Sequence, residues 1–204
     1  MNKTAERTIE ALRENRFEAL YFETAAEAKE YLLGEVGADM SVGFGGSVTL
    51  DEMGIYQALK DKGNEVYWHW YIEEGSDRLD TMKKAMFTDV YMSGVNGLTE
   101  DGRIVNIDGT GNRLASMLFG HKRLFLVCGV NKISRNVEQS LIRIKNIACP
   151  LNTQRLNIPT PCQKAGKCMN CNSERKICNA TLIMEGQHGG IPTTVVLIGE
   201  KIGF

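Results

Sequence analysis

The sequence predicts an α/β fold built on a mainly parallel sheet with helices on both faces. Two observations carry this. Short apolar, β-branched runs alternate with stretches of helical periodicity over most of the first 147 residues, the pattern of βαβ units whose crossovers cover both faces of a sheet. Several of the strand-like runs also end directly in small, polar, glycine-rich turns, the composition expected at the carboxyl edge of such a sheet. With 204 residues, 43% hydrophobic and 24% charged, the chain has material for a real core. We expect residues 1–204 to form a single domain, with residues 149–179 a cysteine-rich, metal-binding segment inside it.

Element by element, Ala5, Ile9, Leu12 and Arg16 recur at helical spacing and predict a helix over 2–16. Residues 19–22 read as a buried strand. Thr24 and Glu27 make a capping-box pair, so a helix follows to Leu33. Residues 40–44 form the next strand, running into Gly45-Gly46-Ser47 and a helix over 50–61. Residues 65–68 read as a strand, and 76–87 as a helix with Leu79, Met82, Met86 and Phe87 inward. Residues 89–92 are a strand ending in Ser93-Gly94. Glu100-Asp101-Gly102 is a hairpin turn between 98–99 and 103–106. A second glycine-rich turn spans 108–112 and leads into a helix reaching Phe119. Residues 124–128 are strand-like and 137–147 helical. Periodicity then stops at Cys149-Pro150. The apolar runs 181–184 and 193–198, around Gly189-Gly190, are expected to pair antiparallel and close the fold.

Charge and composition exclude some functions. Lysines and arginines number 24 against 25 acids, a net −1, so nothing global favours nucleic acid or an anionic membrane. Lys3, Glu6, Arg7, Glu10, Arg13, Glu14 and Arg16 interrupt any apolar core an export signal would need, and no run approaches the ~18 apolar residues of a spanning helix. The expected location is cytoplasmic, where clustered cysteines favour metal ligation over disulfides.

The glycine-rich string Gly43-Phe-Gly45-Gly46-Ser47-Val-Thr49 lies at a strand end and a helix start. Glycine lets the backbone approach an anion, free N–H groups bind it, and Ser47 and Thr49 add hydroxyls. Its spacing is not the dinucleotide fingerprint. Asn96 follows a later strand, Asp108, Gly109, Gly111, Asn112 and Arg113 another, and Asn131 and Lys132 a third. In a parallel sheet these turns share one edge and converge on a pocket for a small anionic ligand; alternatively they are tight turns and no more. Arg113 and Lys132 are the cations expected to pair with the anion. Asp108 reads as a helix cap before a base, and Glu52 as a second carboxylate at the mouth. No catalytic constellation is legible.

Cys162, Cys168, Cys171 and Cys178 follow a C-x5-C-x2-C-x6-C spacing. The central C-x2-C is a chelating pair, and the flanking cysteines complete four thiolates. Lys164, Lys167, Arg175 and Lys176 would offset their charge. Four thiolates suit zinc or an iron–sulfur cluster; the spread arms favour a [4Fe–4S] cluster, with zinc as the alternative. Cys128 reads as a core residue, and Cys149 has no assigned role. His69, His121 and His188 are isolated and read as structural or surface residues. Trp68, Trp70 and Tyr71 form an aromatic cluster, with a core role preferred over a pocket wall or an oligomer contact.

The strings named above, with Glu100-Asp101-Gly102, Gly129-Val-Asn131-Lys132, residues 152–178 and the terminal 199–204, resemble the lactate-utilization (LUD) family over nearly the whole chain. The resemblance implies a fold similar to glucosamine-6-phosphate deaminase, ribose-5-phosphate isomerase and CoA-transferases. It also implies a part in oxidising lactate alongside iron–sulfur partner proteins. The chain lacks the ferredoxin-type runs of that system's iron–sulfur subunit and looks like a small LUD-only branch with a four-cysteine segment. The expected function is organic-acid utilization; the alternatives are an isomerase- or transferase-like enzyme on a sugar phosphate or CoA ester with structural zinc, and a non-catalytic redox sensor or scaffold.

Overall fold

The computed structural model describes residues 1–72 and 74–204. Helix α1 (Lys3–Glu14) buries Ala5, Thr8, Ile9 and Leu12, and Asn2 caps it. Strand β1 (Glu18–Phe22) follows, then α2 (Ala25–Glu35), whose Thr24 and Glu27 form the capping box read from the sequence. Next come β2 (Val42–Phe44), α3 (Val48–Glu52), α4 (Ile55–Asp61), β3 (Val66–Tyr67), α5 (Arg78–Ala85) and β4 (Val90–Gly94). The strands β5 (Gly97–Thr99) and β6 (Ile104–Asp108) precede α6 (Asn112–Leu118), β7 (Arg123–Gly129) and β8 (Ile133–Ser134). Helix α7 (Val137–Arg143) passes through a π turn (Ile144–Ala148) into α8 (Cys149–Arg155); α9 (Pro161–Ala165), β9 (Ala180–Met184) and β10 (Thr193–Ile198) complete the order.

The six-stranded sheet runs β1-β10-β7-β4-β2-β3 and every pairing in it is parallel. Its two faces are packed separately, as the continuous apolar strands require. On one face Tyr91, Leu124, Leu126 and Val195 meet Ile9 and Leu12 of α1 and Leu114 and Met117 of α6. On the other, Phe44, Trp68, Met92, Phe125 and Val196 meet α2, α3 and α4. A smaller sheet, β8-β5-β6-β9, carries the β5–β6 hairpin and packs against α7 and the π turn.

Four expectations need correction. Residues 181–184 and 193–198 do not pair: β9 joins β6 antiparallel in the small sheet, whereas β10 inserts between β1 and β7. Both runs were read correctly as strands, but β10 is buried along its whole length, and full burial needs neighbours on both sides. The helix expected over 50–61 is two helices, because Gly54 takes a left-handed conformation (φ 60°) between them. Leu79 and Phe87 face outward, while Met82 and Ala85 carry the packing of α5. Helix 137–147 does not stop at Cys149-Pro150 but continues to Arg155, the π turn at Ile144–Ala148 immediately preceding Pro150. Among the described residues, no helix is long and apolar enough to cross a membrane.

Candidate functional site

From β2 the chain crosses outward to the edge strand β3, whereas from β4 it proceeds the other way, to β7 and then β10. The connections therefore diverge between neighbouring strands β2 and β4, and in open parallel sheets the crevice at the carboxyl ends of such strands is where ligands sit. A cavity of about 370 Å³ lies there, bounded by the turns after β2, β4 and β6, by Lys132 after β7, and by the α8 helix as a roof. Several turns that are distant in sequence therefore meet, as the sequence reading anticipated.

The predicted ligand residues divide into wall and frame. Gly46, Ser47, Asn96, Asp108, Gly109, Asn112, Arg113 and Lys132 line the cavity; Gly43, Gly45, Thr49, Gly111 and Asn131 stand behind it. The frame residues have definite structural tasks. A Cβ on Gly45 would lie 2.8 Å from both Arg113 Cγ and Ser93 Oγ, so glycine is what allows the β2 and β6 turns to interlock there. Gly46 faces the Trp70 ring, which a Cβ would meet at 3.2 Å. Ser47 caps α3 by accepting from the Leu50 N–H. That helix has only five residues, so its dipole offers little to an anion. Asn131 holds the terminal segment, donating to Gly203 O at 3.0 Å, and Glu52 accepts the Gly203 N–H at 2.9 Å.

Arg113 is a clamp before it is a ligand. Its Nε donates to Asp108 Oδ1 (3.1 Å), and its Nη2 donates to Asn96 Oδ1 (3.0 Å) and Ile107 O (2.8 Å). Asp108 Oδ2 in turn accepts from the Gly111 and Arg113 N–H groups, the capping role the sequence favoured. The Asp108–Arg113 pair thus neutralises itself and ties the β6–α6 turn to the β4 turn.

Lys132 differs. It is 3% exposed. Its Nζ donates to Thr49 Oγ1 at 2.7 Å and meets no carboxylate at ion-pair distance among the described residues. Burial lowers its pKa from 10.5 to about 8. Arg78, Arg155 and Arg175 also line the cavity, and none pairs with a carboxylate among the described residues. Arg155 stacks over Trp70 with its guanidinium carbon 4.1 Å from the ring centre and binds Asn152 Oδ1. Among the described residues the wall therefore carries four cations with no carboxylate at ion-pair distance, of which Arg78 and Arg175 are exposed to solvent, and its one acid, Asp108, is already paired.

The sequence reading prefers a core role for Trp70 over a pocket wall and assigns no wall role to His69, Arg78 or Arg155, yet all four line the cavity. His69 is buried, and its Nδ1 has no hydrogen-bond partner. Burial, reinforced by Arg78, holds its pKa near 4, so the ring is neutral at pH 7. No local pattern marks Arg78 or Arg155; α5 and α8 bring them to the sheet edge, while His69 and Trp70 come from the segment just after β3. His121 is structural: it is buried against Tyr91, with Nδ1 2.8 Å from Thr88 O.

The cysteine segment borders the cavity. Cys128 lies in the core, as expected. Cys162 Sγ sits 3.2 Å from Thr160 Oγ1 and 3.7 Å from Thr153 Oγ1. Cys168 Sγ accepts the Asn170 N–H at 3.4 Å. Cys178 packs against the small-sheet core that includes Cys149, and the neighbouring Cys149 thiol lowers the Cys178 pKa to about 6. Among the described residues, no three His, Cys, Asp or Glu side chains are drawn together around one point. Between residues 143 and 179 seven basic residues face Glu174 alone, a strongly positive setting that favours thiolates.

The LUD domain model matches residues 5–198. The chain is similar in structure to a DUF162 family protein from Deinococcus radiodurans, with a TM-score of 0.53 and 12% identity over 97% of each chain; that likeness concerns the fold. No curated protein matches the chain.

Proposed function

The chain belongs to the LUD domain family, a family associated with lactate utilization, and we propose that it acts in organic-acid utilization by holding a small anionic ligand in the cavity at the β2/β4 edge. The observation that carries this reading is Lys132. A buried ammonium with one hydroxyl partner and no carboxylate is costly, and an anion in the cavity would offset that cost. The four unpaired cations exceed what one carboxylate neutralises, which favours a second reading: a phosphorylated acid or a phosphate ester, handled by an isomerase- or transferase-like chemistry.

Thermal unfolding at fixed pH and ionic strength, with lactate, pyruvate, inorganic phosphate and a sugar phosphate as probes, tests both readings. A ligand at one hundred times its Kd stabilises by about 2.7 kcal/mol, which is roughly 5–11 °C for a chain of this size. A shift with lactate or pyruvate supports the first reading, and one confined to the phosphates supports the second. No shift with any probe, or equal shifts in Lys132→Met, defeats the anion site.

For the cysteine segment we propose a metal group held by Cys162, Cys168, Cys171 and Cys178. The donor chemistry fits: all four thiols are part-exposed, lie in one basic segment, and two already make the hydroxyl or amide contacts that ligated sulfurs use. A [4Fe–4S] cluster would supply one-electron transfer, to iron–sulfur partner proteins; zinc would brace the segment. Iron, zinc and acid-labile sulfide measured on protein purified without oxygen decide between them, and absence of all three overturns the assignment.

A further inference from the structure

His69 sits in a turn that the fold pins at both ends. Just beyond β3 the Tyr71 N–H donates to Trp68 O at 2.9 Å, closing a four-residue turn whose central residues are His69 and Trp70. Trp68 is buried and stacks on Phe44 with ring centres 4.7 Å apart, and Tyr71 stacks on Tyr56 at 4.4 Å. The two residues between these anchors line the anion cavity. Trp70 is already engaged, stacked on Trp68 and covered by Arg155. His69 is not. It is 8% exposed, its Nδ1 is buried with no hydrogen-bond partner, and among the described residues its Nε2 makes no hydrogen bond either. Nε2 stands on the Gly46 side, 3.4 Å from where a Cβ on Gly46 would lie. A buried polar ring that bonds nothing in its own chain is costly.

We propose that His69 is the specificity-determining residue of the cavity: the cations hold the ligand's charged group, and the His69 ring hydrogen-bonds an uncharged oxygen, a hydroxyl or keto group, on the same ligand. The inference rests on the anion reading given above and applies to a carboxylate and to a phosphate ester alike. Burial first, and then Arg78, Arg113 and Arg155, outweigh Asp108 and keep the ring neutral at pH 7, so His69 adds no charge to the cavity. It adds one N–H or one lone pair. Nothing bonded at Nδ1 fixes the tautomer, so Nε2 can donate to a keto oxygen or accept from a hydroxyl. Other acceptors on the wall are committed: Asp108 takes the Arg113 Nε–H, and Asn96 Oδ1 takes Arg113 Nη2 and the Ile107 N–H. Lys132 follows β7 and His69 follows β3, three strand spacings away in the sheet, roughly 14 Å before the side chains reach inward. Both line the same cavity, so a ligand between them meets an ammonium on one side and a neutral ring on the other.

The test measures affinities by titration calorimetry at pH 7 for two matched pairs, lactate against propionate and glycerol 3-phosphate against propyl phosphate. Within each pair the charged group is the same and only hydroxyls differ. Wild type is expected to favour the hydroxylated member of at least one pair by about tenfold, the worth of one buried hydrogen bond, and the pair that shows it identifies the charged group. His69→Phe keeps a ring and removes both nitrogens. It should bring that ratio to about one while the unhydroxylated member binds within about twofold of wild type, and His69→Gln, which returns a polar group, should recover part of the preference. Wild type that binds these anions without favouring a hydroxylated member overturns the inference and leaves the anion reading standing. So does a preference that His69→Phe retains, or a His69→Phe variant that loses both members of a pair alike. Wild type that binds none of the four overturns both. If His69→Phe does not fold, imidazole nitrogen resonances of wild type decide, the His69 signals being those absent from His69→Gln. They should move with lactate or glycerol 3-phosphate and stay with propionate or propyl phosphate; no movement, or equal movement within each pair, overturns the inference.

Discussion

Replacing Lys132 by methionine should make the protein more stable and less able to bind. The side chain keeps its length and apolar stem but loses the ammonium. Burial lowers the Lys132 pKa from 10.5 to about 8, and at about 1.4 kcal/mol per pH unit the charge costs the folded state on the order of 3 kcal/mol. Loss of the bond to Thr49 Oγ1 returns about 1 kcal/mol. The net gain is about 2 kcal/mol, or roughly 4–8 °C in Tm. Its pH dependence has a definite sign. Below pH 8 both folded and unfolded chains are protonated at this group and the penalty is complete. From about 8 to 10.5 the unfolded chain holds the proton and the folded chain does not, so wild-type stability rises with pH relative to the variant. Above 10.5 the two should meet, apart from the Thr49 bond. Urea unfolding at pH 7, 8, 9 and 10, paired with a phosphate or lactate titration, reads both consequences. A variant less stable than wild type at pH 7, or one whose stability gap does not narrow toward pH 10, would refute the account of Lys132 as a buried, uncompensated cation.

Three further outcomes follow from the geometry. Arg113→Ala leaves Asp108 buried without its partner and frees Asn96, so urea unfolding should show a loss of about 3–5 kcal/mol; near-normal stability would mean the clamp is idle. Burial holds the His69 pKa near 4 against 6.5 when unfolded, so the folded state loses on the order of 3 kcal/mol as pH falls from 6.5 through 4. In His69→Gln that part of the acid sensitivity should vanish, and an unchanged acid-unfolding profile would count against it. Gly43→Ala places a Cβ 2.3 Å from Ala85 O, which backbone cannot easily yield; a cost of about 1–3 kcal/mol is expected, and a Tm equal to wild type would show that α5 shifts freely.

What the sequence disclosed depended on how local its cause was. The Thr24–Glu27 capping box, the 100–102 hairpin turn and the Asp108 cap are contacts over a few residues, and all three appear in the structure. The convergence of turns on one edge followed from the parallel sheet alone. The strand pairing of 181–184 and 193–198 was misread because adjacency in sequence stood in for adjacency in space, whereas their partners are β6 for the first and β1 and β7 for the second. Arg78 and Arg155 were invisible as wall residues, since their places depend on how α5 and α8 cross the sheet edge. The π turn that joins α7 to α8 has no signature in residue type.

The position of β10 bears on how this chain reaches its native state. Residues 193–198 fill the gap between two strands, and the Thr194–Glu18 contact spans 176 residues of chain. Until they arrive, β1 and β7 each present an open hydrogen-bonding edge, and β1 has no other neighbour in the sheet. Closing so long a loop is slow, and open apolar edges are where chains stick to one another. Shortening the chain at residue 192 would therefore not trim a border of the sheet. It would detach β1 and expose Leu124, Leu126 and Phe125 from within, so the nascent protein stays vulnerable to aggregation until β10 has been made.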